Sequence, residues 1–416
     1  MTHPGAAKRL LMVMPHSGQV RKAAEAGFEV WVVGDPSLRG RAYLDEVAEH
    51  AREVVSTGVG DERELRALIA RTVRVHDIDT VLYLGGAGAV GPAVAEAERL
   101  GVSPNPASAV VPLDDKSAMR ALLSRHGLSP VRSETVPTVS GVAAAVARLS
   151  GPVVVEPARA SGDLGVALIR DPAGLEEWSE RVADTGPDGP YVVEEYLEGP
   201  EFGVETLSAD GVHQVVGITA KRTTGGPYFV ATEHVYPAPL GPVERASVHA
   251  VVTGLLDLAG YRFGPAHTEV VLTRLGPRIV GARARSGGDL IPLLVETASD
   301  FDVEAGVFRL LSGVPVGEPR PRHTVSVGFF LLPAGRLEAV EGLDAIRALP
   351  YVQALHFPYV PGDELPRTTG SSTRHGYVVV DAESPAEAAE RLARVRELLR
   401  TRVREAAAAL PAGTPR

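Results

Sequence analysis

Hydrophobic runs separated by amphipathic stretches predict alternating strands and helices over the first third of the chain. Residues 10–15, 28–34 and 79–85 are apolar runs, and residues 21–26 have the spacing of a short helix. Strands that alternate with helices pair in parallel through crossover connections. We therefore predict a Rossmann-like α/β domain over residues 1–112.

A different pattern begins near Asp114. The segment DDKSAMRALLSRHG offers an Asp as N-cap, apolar residues at helical spacing, and Gly127 as a stop signal. Strand-like runs follow, with one helix and a loop between Ile169 and Tyr191. This order predicts an α+β region with mostly antiparallel strands. The runs are residues 152–156, 165–170, 191–196, 202–209 and 214–220.

Two further runs, residues 268–273 and 278–284, follow a predicted helix over residues 242–259 and flank the turn-forming Leu-Gly-Pro sequence 275–277. They predict a β-hairpin. Counting outward from the turn places Glu269 opposite Gly281 or Arg283. Period-two alternation then puts Gly281, Arg283 and Arg285 on one face of the second strand.

The last hundred residues predict a small α+β lobe. A Pro-containing stretch, EPRPRH, has the composition of a linker. Segments in the order β-α-β-β-α follow it, and the last is a long amphipathic helix over residues 385–408. We therefore place a central region at residues 113–318 and a C-terminal lobe at residues 319–416.

Composition excludes several classes of function. The chain is 44% apolar and 23% charged, which is typical of a folded protein, and its net charge of −10 disfavours a nucleic-acid partner. The absence of Cys excludes disulfides, thiolate metal sites, iron–sulfur clusters and Cys nucleophiles. The run LLMVM near the start is too short for a signal peptide or a membrane span. We expect a cytoplasmic protein without a membrane partner, and the apolar runs of the N-terminal domain and the C-terminal lobe are candidates for a homodimer interface.

A glycine-rich stretch, LYLGGAGAVGPAV, follows an apolar strand and superficially suits a phosphate loop. No GxGxxG opens the first βαβ unit, and no P-loop Lys follows. The stretch favours a tight turn before a helix.

Four segments carry a resemblance that covers nearly the whole chain. In order, these are VVVEPARASGDLGV, YVVEEYLEGPEFGVE, HTEVV and IVGARARSGGDLIPLLVE, preceded by DDKSAM. Together they resemble the ATP-grasp superfamily, and within it the L-amino-acid ligase-like branch. The resemblance implies an ATP-grasp fold of α/β and α+β parts, with two central subdomains that hold ATP and Mg²⁺. It also implies a carboxylate activated as an acyl phosphate and then attacked by an amine, so amino acids are the expected partners.

The resemblance implies that a nucleotide binds at residues of DDKSAM and of two of the four segments. Lys116 would bring a positive charge to the phosphates, the backbone of SGDLG would cover them, and Glu201 would accept hydrogen bonds from ribose hydroxyls. Taken alone, Lys116 fits a solvated lysine, SGDLG fits a hairpin turn, and Glu201 fits a charged rim. The implied nucleotide-binding positions are Lys116, Glu156, Ser161, Gly162, Glu194, Glu195, Tyr196, Leu197 and Glu201, with the peptide groups of 194–197 at the adenine.

The resemblance also implies a reacting end of the site. Glu269 matches a magnesium-binding carboxylate, since Mg²⁺ prefers hard oxygen ligands. Arg285 matches an arginine that faces the phosphoryl and acyl oxygens, where a guanidinium suits developing negative charge. His234 is the second implied catalytic residue, although a histidine near a strand's end is by itself more often a surface or core residue. The implied substrate-side residues are Lys221, Arg283, Gly287 and Gly288.

The chain departs from the family's pattern at several positions in this site. Glu156 stands where the family has Lys, and Gly281 stands at the second metal carboxylate. Arg283 replaces a metal-binding Asn, and Ala231 replaces an acidic residue. Because the changes at Glu156 and Arg283 are opposite in sign, we hypothesise that these two side chains pair in the phosphate space. Ordinary drift of surface residues is the alternative.

Three functional hypotheses follow. The first is an ATP-dependent ligase that joins a carboxylate to an amine, and the retained adenine segment and Arg285 favour it. The second is a catalytically degenerate ATP-grasp protein that binds a small molecule or a partner, favoured by the lost phosphate Lys and metal carboxylate. The third keeps an active site for repurposed, ATP-independent chemistry.

Overall fold

This computed structural model describes residues 7–85, 90–159, 165–185 and 189–405, with the backbone alone for 183–185. Four sheets organise the described residues. The fold is a mixed α/β and α+β architecture, as predicted.

A four-stranded parallel sheet forms the N-terminal part. Its order is β3-β2-β1-β4. Leu10 and Met12 of β1 enter one core, whereas Leu11 and Val13 enter another. Helices therefore cover both faces, as parallel sheets require. The prediction missed β3, whose sequence EVVS is short and only partly buried. The strands are β1 (Arg9–Val13), β2 (Glu29–Gly34), β3 (Glu53–Ser56) and β4 (Thr80–Tyr83), and the helices are α1 (Ser17–Glu25), α2 (Pro36–Arg39), α3 (Ala42–Ala48), α4 (Glu62–His76), α5 (Val90–Arg99) and α6 (Ala107–Asp114).

A second sheet, antiparallel and four-stranded, has the order β5-β8-β6-β7. The helix that leads into it begins where predicted, because the Asp115 carboxylate accepts hydrogen bonds from the amides of Ser117 and Ala118. Gly127 ends that helix in the left-handed conformation, with φ of 65°. The strands are β5 (Ser133–Val136), β6 (Val153–Pro157), β7 (Ala167–Ile169) and β8 (Tyr191–Glu195), and the helices are α7 (Lys116–His126), α8 (Val139–Leu149) and α9 (Pro172–Thr185).

The third sheet has eight strands in the order β13-β12-β9-β10-β11-β14-β18-β16. The predicted hairpin is present, and Glu269 pairs with Gly281, which is one of the two registers expected. The predicted helix over 242–259 is also present. The strands are β9 (Glu201–Ala209), β10 (Val212–Thr223), β11 (Ala231–Tyr236), β12 (Gly264–Thr273), β13 (Gly276–Arg283), β14 (Thr324–Phe329), β16 (Val352–His356) and β18 (Tyr377–Ala382), and the helices between and beside them are α10 (Pro242–Ala259), α11 (Ile291–Ser299) and α12 (Val303–Leu311).

The C-terminal region differs from the predicted lobe in two respects. Its strand β14 pairs with β11, so its sheet continues the central one. The predicted terminal helix is present from Pro385, but its predicted end is wrong, because the helix stops at Leu398 and residues 400–405 pair with a strand near residue 340. Among the helices described, none combines the length and apolar character needed to cross a bilayer. The remaining elements are β15 (Gly335–Glu341), α13 (Leu343–Arg347), β17 (Glu364–Leu365), a 3-10 turn (Ser371–Thr373), α14 (Pro385–Leu398) and β19 (Arg400–Glu405).

Candidate functional site

A cavity of about 360 Å³ lies where the four-stranded antiparallel sheet faces the eight-stranded sheet. Strands β6 and β8 line one side, and β9 to β13 line the other. Glu201, Glu269 and Arg285 all line this one cavity, as predicted. Its charged lining residues are Lys116, Glu156, Glu194, Glu195, Glu201, Lys221, Glu269, Arg283, Arg285 and Asp289.

Lys116 lies in a buried network of ion pairs at one wall of the cavity. Its ammonium contacts the carboxylate of Glu156 and donates to Glu194 Oε1 at 2.6 Å. Arg120 Nε donates to the other oxygen of Glu194 at 2.7 Å. The side chains of Lys116, Arg120 and Glu194 are at most 5% exposed, whereas that of Glu156 is 20% exposed. Two cations thus meet two carboxylates, and the network is close to neutral.

A second group of charges surrounds Glu269. Lys221 Nζ donates to Glu269 Oε1 at 2.9 Å and lies 3.6 Å from Glu201 Oε2. The β10 strand carries Lys221 beside Glu201 of β9, since these two residues are register partners. The charge of Lys221 outweighs burial and, with help from His267 and Arg283, holds the pKa of Glu269 far below its usual value. Glu269 is therefore ionised and already bound to a protein cation.

The strand opposite Glu269 provides no second carboxylate. A Cβ built on Gly281 would lie 3.7 Å from Glu269 Oε2, so a side chain at this position would start beside the Glu269 carboxylate. Within the described residues no cluster of three His, Asp or Glu side chains is arranged to hold a metal ion. Mg²⁺ prefers oxygen ligands and usually binds proteins through one or two carboxylates. The side chains present do not fit a dedicated magnesium site.

Two arginines, one at the end of β13 and one two residues later, face the same cavity. Arg283 and Arg285 both line it, and Arg285 Nη1 donates to the carbonyl of Ser286 at 2.8 Å. Burial and the charge of Arg283 together lower the pKa of Arg285. Burial raises the pKa of Asp114 to about 6, although both arginines oppose this shift. The arrangement places two guanidinium groups beside one carboxyl, which suits a negatively charged ligand.

His234 on β11 belongs to a chain of polar contacts that reaches the C-terminal region. Its Nε2 lies 3.3 Å from Asp289 Oδ2, and Arg374 forms two hydrogen bonds to the Asp289 carboxylate. The Arg374 guanidinium also lies over the Phe329 ring, 3.6 Å from its centroid. Burial lowers the pKa of His234, so its imidazole is neutral near pH 7. Burial disfavours ionised Asp289, but hydrogen bonds from His234 and Arg374 outweigh it and depress the pKa of Asp289.

A buried carboxylate supports the loop that follows β13. Glu205 on β9 is fully buried, contacts His267 Nδ1, and accepts a hydrogen bond from the Gly287 amide at 2.9 Å. A Cβ on Gly287 would lie 2.5 Å from Glu205 Oε1, so this close approach requires glycine. Gly287 therefore lies behind the cavity wall, whereas the sequence analysis predicts it on the substrate side.

The other predicted positions divide into two groups. Ser161 and Gly162 lie outside the described residues, as do residues 86–89 of the glycine-rich stretch. All the remaining predicted site residues apart from Gly287 line the cavity, and their individual roles stay predictions. These residues are Lys116, Glu156, Glu194, Glu195, Tyr196, Leu197, Glu201, Lys221, His234, Glu269, Arg283, Arg285 and Gly288.

The hypothesis that Glu156 pairs with Arg283 is wrong. Glu156 pairs with Lys116 instead, and the other charges that act on it come from Glu194 and Arg120. The two sign changes do not compensate each other. The Lys ammonium predicted to serve the phosphates is the group that Glu156 neutralises.

Sequence reasoning missed several polar residues around the cavity. Asp289 and His267 line it, while Glu205, Arg120 and Arg374 support lining residues from behind. Period-two alternation along β12 carries one usable signal, since it places His267 on the same face as Glu269. Arg374 gave none, because 85 residues separate it from Asp289.

Comparison with known proteins agrees with this geometry. Residues 149–291 match the family model of the ATP-grasp domain, and residues 328–404 match that of the L-amino acid ligase C-terminal domain 2. The chain carries an ATP-grasp domain followed by an L-amino acid ligase C-terminal domain. The ATP-grasp domain contains the cavity's central strands, from β6 to β13. The C-terminal domain contains Arg374 and Phe329, which belong to the chain of contacts that reaches His234 through Asp289.

The relatives extend the likeness beyond these two domains. The chain is 27% identical over 282 residues to an uncharacterized protein of Sinorhizobium fredii and 24% identical over 227 residues to alanine–anticapsin ligase of Bacillus subtilis. These alignments cover 66% and 49% of the chain, and 58% and 48% of the relatives. The chain thus spans about half the length of the curated relatives it matches. The crystal structure of an L-amino acid ligase from Bacillus licheniformis superposes with a TM-score of 0.80 at 23% identity, covering 96% of this chain and 99% of that one.

Proposed function

We propose that this protein is an ATP-dependent carboxylate–amine ligase acting on small substrates of the amino-acid type. The observation that carries the proposal is the single cavity shared by Glu201, Glu269 and Arg285. Two similar proteins support it, since one is named an alanine–anticapsin ligase and the other an L-amino acid ligase. We extend their reaction class, and not their particular substrates, to this chain.

The adenosine end of the cavity suits a nucleoside. Val154, Val166 and Leu197 provide apolar surface for a flat base, beside the backbone that ends β8. The Glu201 side chain is 32% exposed at the cavity, where its carboxylate oxygens suit a ribose diol. ATP, when bound, would supply the phosphoryl group that activates a carboxylate.

The reacting end is lined by a positively charged arginine and by a histidine that a neighbouring carboxylate holds in place. Arg285 would stabilise negative oxygens through its guanidinium donors. Neutral His234, held by Asp289, would lie beside the incoming amine. The described side chains do not form a magnesium site by themselves, so we assign no step to a metal.

A second candidate is an ATP-grasp protein that binds a small molecule without phosphoryl transfer. One observation favours it. The protein's own carboxylates neutralise Lys116, so this cation does not project net positive charge towards a phosphate chain.

Isothermal titration with ATP, in the presence of magnesium chloride, tests the proposal. We expect saturable binding, followed by phosphate release that depends on added amino acids. Arg285→Gln should retain nucleotide binding but lose phosphate release. Absence of binding at millimolar ATP would end the proposal, whereas binding without phosphate release over all amino-acid pairs would favour the second candidate.

A further inference from the structure

The Lys116 network shows how the cavity limits its own positive charge. One ammonium is shared by two carboxylates, those of Glu156 and Glu194, and Arg120 binds the second of them. Because the cations and carboxylates are equal in number, the wall presents almost no net charge to a ligand. A phosphate placed there would meet the Glu156 carboxylate, which lines the cavity, together with the ammonium.

The two carboxylates of this network are not equivalent. Burial disfavours ionised Glu194, but Arg120 and Lys116 outweigh it and hold the pKa of Glu194 below its usual value. Burial and the neighbouring charge of Glu194 raise the pKa of Glu156, and among the described residues Lys116 alone forms an ion pair with it. Glu156 is thus the group in the network that takes up a proton most readily.

Among the described residues, the charged groups that act on Glu156 are those of Lys116, Glu194 and Arg120. Helix α7 contributes Lys116 and Arg120, and strand β8 contributes Glu194. Strand β7 has the apolar sequence ALI, and the register partner of Glu156 on β8 is Val192. A change of charge at this wall therefore falls on Glu156.

We propose that Glu156 determines how much negative charge the cavity accepts, so that a nucleotide phosphate binds beside Lys116 with uptake of one proton from solvent onto Glu156. Protonation leaves Lys116 and Arg120 facing the single carboxylate of Glu194, and the network then carries one net positive charge. This inference rests on the proposed function, because the phosphate is that of the bound nucleotide. Glu156 acts through Lys116, as a specificity-determining residue without a part in bond formation.

The sign of the pH dependence follows from linkage. A bound phosphate disfavours ionised Glu156, so the proton is held more tightly in the complex than in the free protein. Nucleotide affinity should therefore increase as pH falls, by up to about tenfold per pH unit for one coupled proton. This dependence applies above the pKa of Glu156 in the free protein and below its pKa in the complex.

Calorimetric titration with ADP in EDTA tests the inference directly. At pH 8 the phosphates of ADP, with a pKa of about 6, are almost fully ionised, so they exchange few protons of their own on binding. Titrations in two buffers with different ionisation enthalpies should give a net uptake of up to one proton by the full-length protein. Glu156→Gln should bind ADP about tenfold more tightly at pH 8, without proton uptake and with a flat pH profile.

The control variant is Glu134→Gln. Glu134 lies on β5 of the same sheet, pairs with Arg148, and is not among the lining residues, so its removal should leave both proton uptake and affinity unchanged. Binding of ADP without proton uptake by the wild-type protein would overturn the inference and leave the proposed function standing. Absence of ADP binding by both wild type and Glu156→Gln, at pH 6 and at pH 8, would overturn the inference, and absence of ATP binding in magnesium chloride as well would overturn the proposed function.

Discussion

Replacing Lys116 with Met should destabilise the four-stranded sheet in a pH-dependent way. The substitution removes a side chain that is 4% exposed and that neutralises two carboxylates. Removal of one partner from a buried ion pair typically costs about 3–5 kcal/mol. Glu194 keeps Arg120 as a partner, and Glu156 can take up a proton, so we expect a loss near the lower end, about 3 kcal/mol at pH 7.

The pH dependence provides the sharper test. In the variant, the pKa of Glu156 in the folded state is raised further, because burial and Glu194 already raise it and Lys116 no longer opposes them. The folded state then binds a proton that the unfolded state has released. The free energy of unfolding is highest below the unfolded pKa of Glu156 and falls as pH rises, by up to about 1.4 kcal/mol per pH unit.

Denaturant unfolding followed by Trp fluorescence measures the effect. Trp178 lies in the core of this sheet, 1% exposed beside Tyr191, and reports its loss. Adding Glu156→Gln to Lys116→Met should recover most of the stability. Arg132→Met is the matched control, because its 60% exposed side chain pairs with Glu195 and should contribute less than about 1 kcal/mol. Wild-type stability of Lys116→Met across pH 5–8, or no recovery with Glu156→Gln, would refute the reasoning.

Two further changes test the reacting end. Gly281→Glu with Arg283→Asn should create a carboxylate pair with Glu269 and raise Mn²⁺ affinity about tenfold or more, measured by calorimetry, since the new side chain starts beside the Glu269 carboxylate. Unchanged metal binding would contradict the placement of these groups. Asp289→Asn should lower the pKa of His234, because Asp289 is the charge that opposes its burial, and an NMR titration of the imidazole in which the pKa stays or rises would count against the contact.

Local signals in the sequence account for the elements that were predicted well. Helix α10 has Pro242 at its first position and Gly260 in the left-handed conformation after its end, so its bounds could be predicted. The β12–β13 hairpin is similar, since a short turn pairs Thr273 with Gly276 and fixes the register as far as Val270, and a one-residue shift next to Val270 then places Glu269 opposite Gly281. Both depend on residues close together in the chain.

The failures come from contacts between distant residues. Residues 400–405 alternate Arg with smaller side chains. They form a strand and not a helix because they pair with β15, some sixty residues away in the sequence. The partner of Glu156 was predicted from complementary charge alone, which does not specify distance. Lys116 reaches Glu156 because helix α7 begins next to the end of β6. There the Lys116 amide donates a hydrogen bond to the carbonyl of Ala158.

The central claim, that this cavity holds a nucleotide with its phosphates towards Lys116 and Glu156, is tested most directly by a crystal structure of the protein grown with ADP at pH 6. We predict adenine beside Tyr196 and Leu197, and a phosphate oxygen within hydrogen-bonding distance of the Lys116 ammonium. ADP bound outside the cavity, or bound in it with its phosphates directed away from Lys116, would contradict the account.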